Sequence, residues 1–287
     1  MSDQNIDNET GVETTGHSWD GIKELNNPLP RWWLWTLYLT IIWGIGYTIA
    51  YPAWPLISGA TSGLAGWSTR AEVAADIEAH QGQNAGLVTA LLDADMATLP
   101  ENADLNRYAI ARGGSVFRAQ CSQCHGSGAA GAKGYPNLLD NDWLWGGEMD
   151  AIVHTVRHGV RNETDDDARW SEMPAFGDTL EAADIDATVE YVISLSGPDF
   201  DAQLAQMGAS VFADNCAACH GDNAEGDSEV GAPDLADAIW LYGGDRAALT
   251  ETIKNARFGV MPAWGQRLSE EDVRAVSAYV HALGGGE

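Results

Sequence analysis

Cys121-Ser-Gln-Cys124-His125 and Cys216-Ala-Ala-Cys219-His220 are two copies of C-x-x-C-H, and together they use all four cysteines of the 287-residue chain. The pattern is the one that attaches haem c covalently. On a helical turn, residues three apart share a face, so each thiol can form a thioether with one haem vinyl group. The imidazole that follows then points at the iron. Cys121, Cys124, Cys216 and Cys219 are therefore the expected attachment points, and His125 and His220 the expected proximal ligands. A single C-x-x-C-H also fits half a zinc site or a thioredoxin-like redox pair. Two copies in matching surroundings point instead to electron transfer.

The surroundings match because the second half of the chain repeats the first. Gly113-Gly-Ser-Val-Phe-Arg-Ala-Gln-Cys121 aligns with Gly208-Ala-Ser-Val-Phe-Ala-Asp-Asn-Cys216, and Tyr135-Pro-Asn-Leu138 with Ala232-Pro-Asp-Leu235. Trp143-Leu-Trp-Gly-Gly147 returns as Trp240-Leu-Tyr-Gly-Gly244, and Met173-Pro-Ala-Phe-Gly177 as Met261-Pro-Ala-Trp-Gly265. Each copy closes on a helical pattern, with Ile185, Tyr191 and Val192 in the first and Val273, Val276, Tyr279 and Val280 in the second. Ser269-Glu-Glu-Asp272 reads as a capping box before the last helix. Two copies of this length mean two small domains rather than a solenoid.

Each copy resembles a class I cytochrome c domain, a family in which an N-terminal helix packs on a C-terminal one and a late loop supplies a distal methionine. The resemblance implies Met173 and Met261 as the sixth ligands, since both begin the repeated Met-Pro-Ala-aromatic-Gly motif. A thioether is a soft ligand, and His/Met ligation raises the reduction potential over that of a bis-histidine haem. Pro136 and Pro233 resemble the family's proline whose carbonyl orients the proximal histidine. Gly113 and Gly208 fall where the first helix must approach the last, opposite Tyr191 and Tyr279 respectively. His154 and His158 are the rivals for the sixth position, with packing or hydrogen bonding as their alternative role. Each repeat holds a complete set, so the expectation is that Met173 serves the Cys121 lobe and Met261 the Cys216 lobe. An exchange of the distal loops between two facing lobes stays open. The stretch from Arg161 to Glu172, which includes Asp165-Asp-Asp167, has no counterpart in the second copy and no role that the sequence supplies.

Upstream, Trp32 to Tyr51 is free of charge, enough for one crossing of a bilayer at about 1.5 Å per residue. Arg31 and Trp32, Trp33 and Trp35 at one end, and Tyr47, Tyr51 and Trp54 at the other, suit interfacial anchoring. The polar, acidic stretch before it argues against a cleavable signal. The stretch Gly16-His-Ser-Trp-Asp-Gly-Ile-Lys-Glu-Leu-Asn-Asn-Pro-Leu-Pro-Arg-Trp-Trp33, running into the span and on to Tyr51-Pro-Ala-Trp-Pro-Leu56, resembles the dihaem subunit family of cbb3-type cytochrome c oxidases, FixP or CcoP.

That resemblance covers essentially the whole chain. It implies an all-α fold with one N-terminal transmembrane helix and two tandem class I cytochrome c domains. The expected organisation is an acidic arm at 1–30, the membrane helix at 31–57, a linker at 58–104 with one or two short helices, and cytochrome domains at 105–198 and 199–287. It further implies two covalently bound haem c groups and a subunit without a catalytic centre of its own. Such a subunit takes electrons from the cytochrome bc1 complex through a donor cytochrome c. It passes them to a monohaem cytochrome c subunit and on to the haem-copper catalytic subunit that reduces oxygen. The implied location is the bacterial inner membrane, N-terminus in the cytoplasm and haem domains in the periplasm. A relay from a dehydrogenase to another acceptor and a dihaem peroxidase are the alternatives. Fifteen basic against forty-two acidic residues, a formal charge of −27, attract a basic donor and repel nucleic acid, although adaptation to salt gives the same composition.

Overall fold

The structure, a computed structural model, describes residues 5–284. The ends of the acidic arm and of the second repeat, residues 1–4 and 285–287, lie outside the described residues. The chain divides into two compact units after Gln83.

In the first unit, β1 (Thr14–Trp19) and β2 (Ile22–Leu25) form a hairpin with Trp19 opposite Ile22. Its turn is Asp20-Gly21, both with positive φ (52° and 82°), as a two-residue turn matched to strand twist requires. Helix α1 (Arg31–Ala50) follows Pro30, contains no charge after Arg31, and buries no residue within the protein. Thr36, Thr40 and Thr48 turn their hydroxyls onto carbonyls of the helix itself, so these hydroxyls are satisfied internally, as hydrocarbon demands. Two further short strands, β3 (Pro55–Leu56) and β4 (Gly59–Ala60), pair antiparallel.

The linker expected at 58–104 differs from its reading. It holds one long helix, α2 (Thr69–Asp93), instead of short ones. The end of that stretch is also core: Leu91, Met96 and Leu99 are at most 5% exposed. Polar residues and small alanines and glycines surround most of α2, which hid its length from a search for an apolar stripe.

The remaining helices are α3 (Ala103–Val116), α4 (Ser122–His125), α5 (Met149–His158), α6 (Ala182–Ser196), α7 (Ala202–Asn215), α8 (Ala217–His220), α9 (Arg246–Asn255) and α10 (Glu270–His281). They build two lobes, and the way the chain divides between them corrects the expectation of self-contained domains at 105–198 and 199–287. Helix α3 packs on α10 and α6 packs on α7. One core joins Leu105, Phe117, Met149, Ile152 and Val156 to Val273, Val276 and Met261. The other joins Ile185, Val189 and Val192 to Phe212, Leu249 and Ile253, with Met173 and Phe176 against them. The second lobe is thus one continuous segment, 173–256, inserted into the first, which resumes at 261.

Glycines mark both helix crossings. A methyl group on Gly113 would fall under 3.0 Å from the Ala275 carbonyl and Tyr279, and one on Gly208 under 3.0 Å from the Ala187 carbonyl and Thr188 N. The expected partners are therefore exchanged: Gly113 meets the helix of Tyr279 and Gly208 that of Tyr191. The rings agree, with Phe117 packed on Tyr279 (5.3 Å) and Tyr191 on Phe212 (5.1 Å). The physical reason lies in the connection 197–201, short enough to fold α6 and α7 back as antiparallel neighbours.

Polar contacts reinforce each crossing. Arg112 pairs with Glu271 (2.8 Å) and Asp272 (2.9 Å) of α10, and the Tyr108 hydroxyl donates to Glu271 (2.6 Å). Burial and that bond push the Tyr108 phenol up to about 12. In the other lobe Arg246 donates to the buried Glu190 carboxylate. Ser269 caps α10 as expected, its hydroxyl accepting from Asp272 N (3.2 Å). Arg274 of α10 closes the end of α2 by donating to the Leu91 and Ala94 carbonyls (3.1 and 2.8 Å).

Candidate functional site

The two C-x-x-C-H motifs sit at equivalent places. Helix α3 runs through one wide turn, Phe117–Cys121, into α4, whereas α7 ends at Asn215 immediately before Cys216. Gly126 and Gly221 then turn the chain with φ of 79° and 80°. The next loop is tied back to the motif, Gly131 N donating to His125 O and Gly226 N to His220 O, each at 2.8 Å. Both glycines have positive φ, and a methyl group on either would run into the Tyr135–Asn137 or Ala232–Asp234 backbone. A side chain there would displace the proline that follows.

That proline fixes the histidine. His125 Nδ1 lies 3.0 Å from the Pro136 carbonyl, and His220 Nδ1 lies 3.0 Å from the Pro233 carbonyl. A carbonyl only accepts, so Nδ1 carries the proton and Nε2 keeps its lone pair. Burial lowers the pKa of both histidines, with the proline hydrogen bond opposing it, which favours the neutral ring needed for ligation.

Burial, with a smaller contribution from the neighbouring cysteine, pushes the Cys121 and Cys216 thiols up to about 11. Two thiols three residues apart, a neutral imidazole aimed by a carbonyl and a half-buried thioether fit haem c in each lobe.

The methionines arrive from the other repeat. Met261 lines the core that contains Cys121, and its backbone exchanges two 3.0 Å hydrogen bonds with Val160 at the end of α5. Met173 lines the core that contains Cys216. The turns after them lie on α5 and α9 respectively: Gly265 packs against Arg157, and Gly177 against Lys254. The expected own-lobe placement of the methionines is thereby corrected to the exchanged one. His154 and His158 turn to the 161–172 segment, His154 Nε2 meeting the Asp167 carbonyl (3.1 Å) and His158 Nδ1 the Asp165 carboxylate (3.0 Å).

Arg161 holds the crossover and was not singled out by motif. Its guanidinium donates to Ser171 O (2.7 Å) on the way into the second lobe and to Gly259 O (3.0 Å) on the way out, beside the Trp145 and Phe258 rings. A near twofold relation continues across the lobe boundary, where Trp145 covers Gly231 and Tyr242 covers Gly134.

Paired helices closing over a C-x-x-C-H turn, with a methionine packed against the core beside each motif, define the class as c-type cytochrome, a class that binds haem c. The comparisons make the class particular. The family described as cytochrome c oxidase, cbb3-type, subunit III matches residues 109–192 and 203–280, and the N-terminal domain of cytochrome oxidase-cbb3, FixP, matches residues 11–58. The chain belongs to the cbb3-type cytochrome c oxidase subunit III family. Among its relatives, the subunit CcoP of Cereibacter sphaeroides is 60% identical over 96% of this chain and 95% of its own length. The subunit FixP of Sinorhizobium medicae is 50% identical over 99% and 98%. The subunit CcoP of Rhodobacter capsulatus is 50% identical over 96% and 97%. With the apolar helix α1, the chain is a single-pass membrane protein of an oxidase complex.

Proposed function

We propose that the protein relays electrons through two covalently held haem c groups inside a cbb3-type oxidase. Cys121, Cys124, His125 and Met261 would hold one group, and Cys216, Cys219, His220 and Met173 the other. Bound there, haem c supplies a one-electron couple, raised in potential by the thioether. The chain's part is to orient each imidazole through a proline carbonyl, to shield each centre with an interleaved core, and to hold the two centres together. The observation that carries this reading is the donor set of each lobe, assembled from both repeats.

The relay begins at a donor cytochrome c, for which the net charge of −27 favours a basic partner. It ends, through the monohaem subunit, at the haem-copper subunit. Covalent haem attachment outside the cytoplasmic membrane places both lobes in the periplasm and the residues before α1 in the cytoplasm. A peroxidase or a relay to another acceptor finds no support among the relatives. The test is detergent purification of the complex with subunit identification and a haem c, haem b and copper count. Two haem c attached to this chain and one to the monohaem subunit, three per complex, together with haem b and copper, is the expected result. A single haem c, or a preparation lacking haem b and copper, refutes the reading.

A further inference from the structure

Away from the cytochrome motifs, the end of α5 and the loop 161–169 bring a histidine and two aspartates to one point. His158, Asp165 and Asp167 each offer a donor atom within 4.8 Å of the other two. We propose that these three side chains form a zinc site, with His154 as its positioning residue.

The donor chemistry suits that ion. One neutral imidazole and two carboxylates carry two negative charges against a dication, and imidazole with carboxylate is a combination zinc accepts. Three protein ligands leave a fourth, tetrahedral position for water. Donors around zinc stand about 3.4 Å apart when bonds are about 2.1 Å, so the cluster needs to contract by little more than about an ångström.

The loop's own hydrogen bonds hold the donors together. Its two ends are joined, Arg161 N donating to Arg169 O (2.8 Å) and Arg169 N to Gly159 O (3.1 Å). Within it, Asp167 N donates to the Asp165 carboxylate at 3.0 Å, which sets the two acids side by side. His154 stands one turn before His158 on α5, their rings 4.7 Å apart, and holds the Asp167 backbone by its carbonyl. Arg169, the adjacent cation, is turned onto Thr155 Oγ1 (3.0 Å) and the Trp145 ring.

In the metal-free protein the His158 Nδ1 proton bridges to Asp165 (3.0 Å). On loading, His158 takes the other tautomer, its proton relocating to Nε2 through solvent, and the Nδ1 lone pair and the carboxylates bind the ion. The site would fasten the crossover loop to α5 two residues before Val160, the residue that holds the Met261 backbone.

The experiment uses the full chain purified in detergent with its haems, treated with chelator and desalted, then titrated calorimetrically with zinc chloride. One saturable equivalent is expected, with zinc-edge X-ray absorption showing nitrogen and oxygen neighbours and no sulfur. Asp165→Asn and Asp167→Asn should each weaken binding at least about tenfold, and His154→Ala should weaken it with the stoichiometry kept. Asp166→Asn, in the same loop but outside the cluster, should bind as the parent does. Variants are compared only where their visible and far-ultraviolet spectra match the parent's. Absence of a saturable equivalent, sulfur ligation, or unchanged affinity in Asp165→Asn and Asp167→Asn overturns the proposal.

Discussion

Ile185 sits on α6, in the first repeat, yet it is 1% exposed within the core that holds Phe212, Leu249 and Ile253 of the second. Replacing it with alanine removes three buried carbons, worth about 2.4 kcal/mol at about 0.8 kcal/mol per methylene, and leaves a cavity that raises the cost to about 3 kcal/mol. At 1.4 kcal/mol per decade that is about a hundredfold rise in the opening of the affected lobe. The assay is native-state hydrogen exchange read by mass spectrometry on the haem-loaded protein. Amides of α7 (202–215) and α9 (246–255) should lose about a hundredfold in protection, while those of α3 (103–116) and α5 (149–158) keep theirs. A loss in α3 and α5 with α7 unchanged would refute the interleaved topology and restore contiguous lobes.

Two other outcomes follow from the same geometry. Met261→Ala should lower the midpoint potential of the centre that disappears in the Cys121→Ala/Cys124→Ala protein, and Met173→Ala that of the centre lost with Cys216 and Cys219; redox titration in these single-centre backgrounds shows the opposite pairing if the exchange is wrong. Asp142 lies within electrostatic reach of Asp237 and Asp234 in the other lobe and of Asp140 in its own, and burial first, then those carboxylates, raise its pKa from 3.8 to about 6. The folded state therefore binds more protons than the unfolded between these values, and stability falls as pH rises through that window. The full difference is about 3 kcal/mol, which partial contact with water reduces to about 1 kcal/mol. Asp142→Asn should accordingly stabilise the protein by about 1 kcal/mol near pH 7 and not near pH 4 in denaturant titrations. An equal gain at both pH values would contradict the electrostatic origin.

What the sequence disclosed and what it hid have separate physical grounds. The C-x-x-C-H motifs, the orienting prolines and the membrane helix are legible because their chemistry is local: spacing along one turn, one carbonyl, one run of apolar residues. The pairing of helices is not local. Ile185, Val189 and Val192 on α6 and Val273, Val276 and Val280 on α10 present similar apolar faces, and the repeat makes either a suitable lid for either lobe. The choice comes from the five-residue connection 197–201 and from Arg161, whose contacts reach residues 10 and 98 positions away. The unmatched stretch 161–172 did stand out in the sequence. Its role as the strand of passage between lobes emerges only once Gly259 lies beside it.

The nested chain path also sets an order of completion during synthesis. Every element of the Cys216 lobe has been synthesised once residue 256 is made. The Cys121 lobe, although its cysteines come first, stays open until α10 is made. Haem attached at Cys121 and Cys124 before that point would sit in a half-built pocket, without Met261 or the helix that packs on Gly113. A chain stopped after residue 256 would therefore keep its later cytochrome intact and lose the closure of its earlier one.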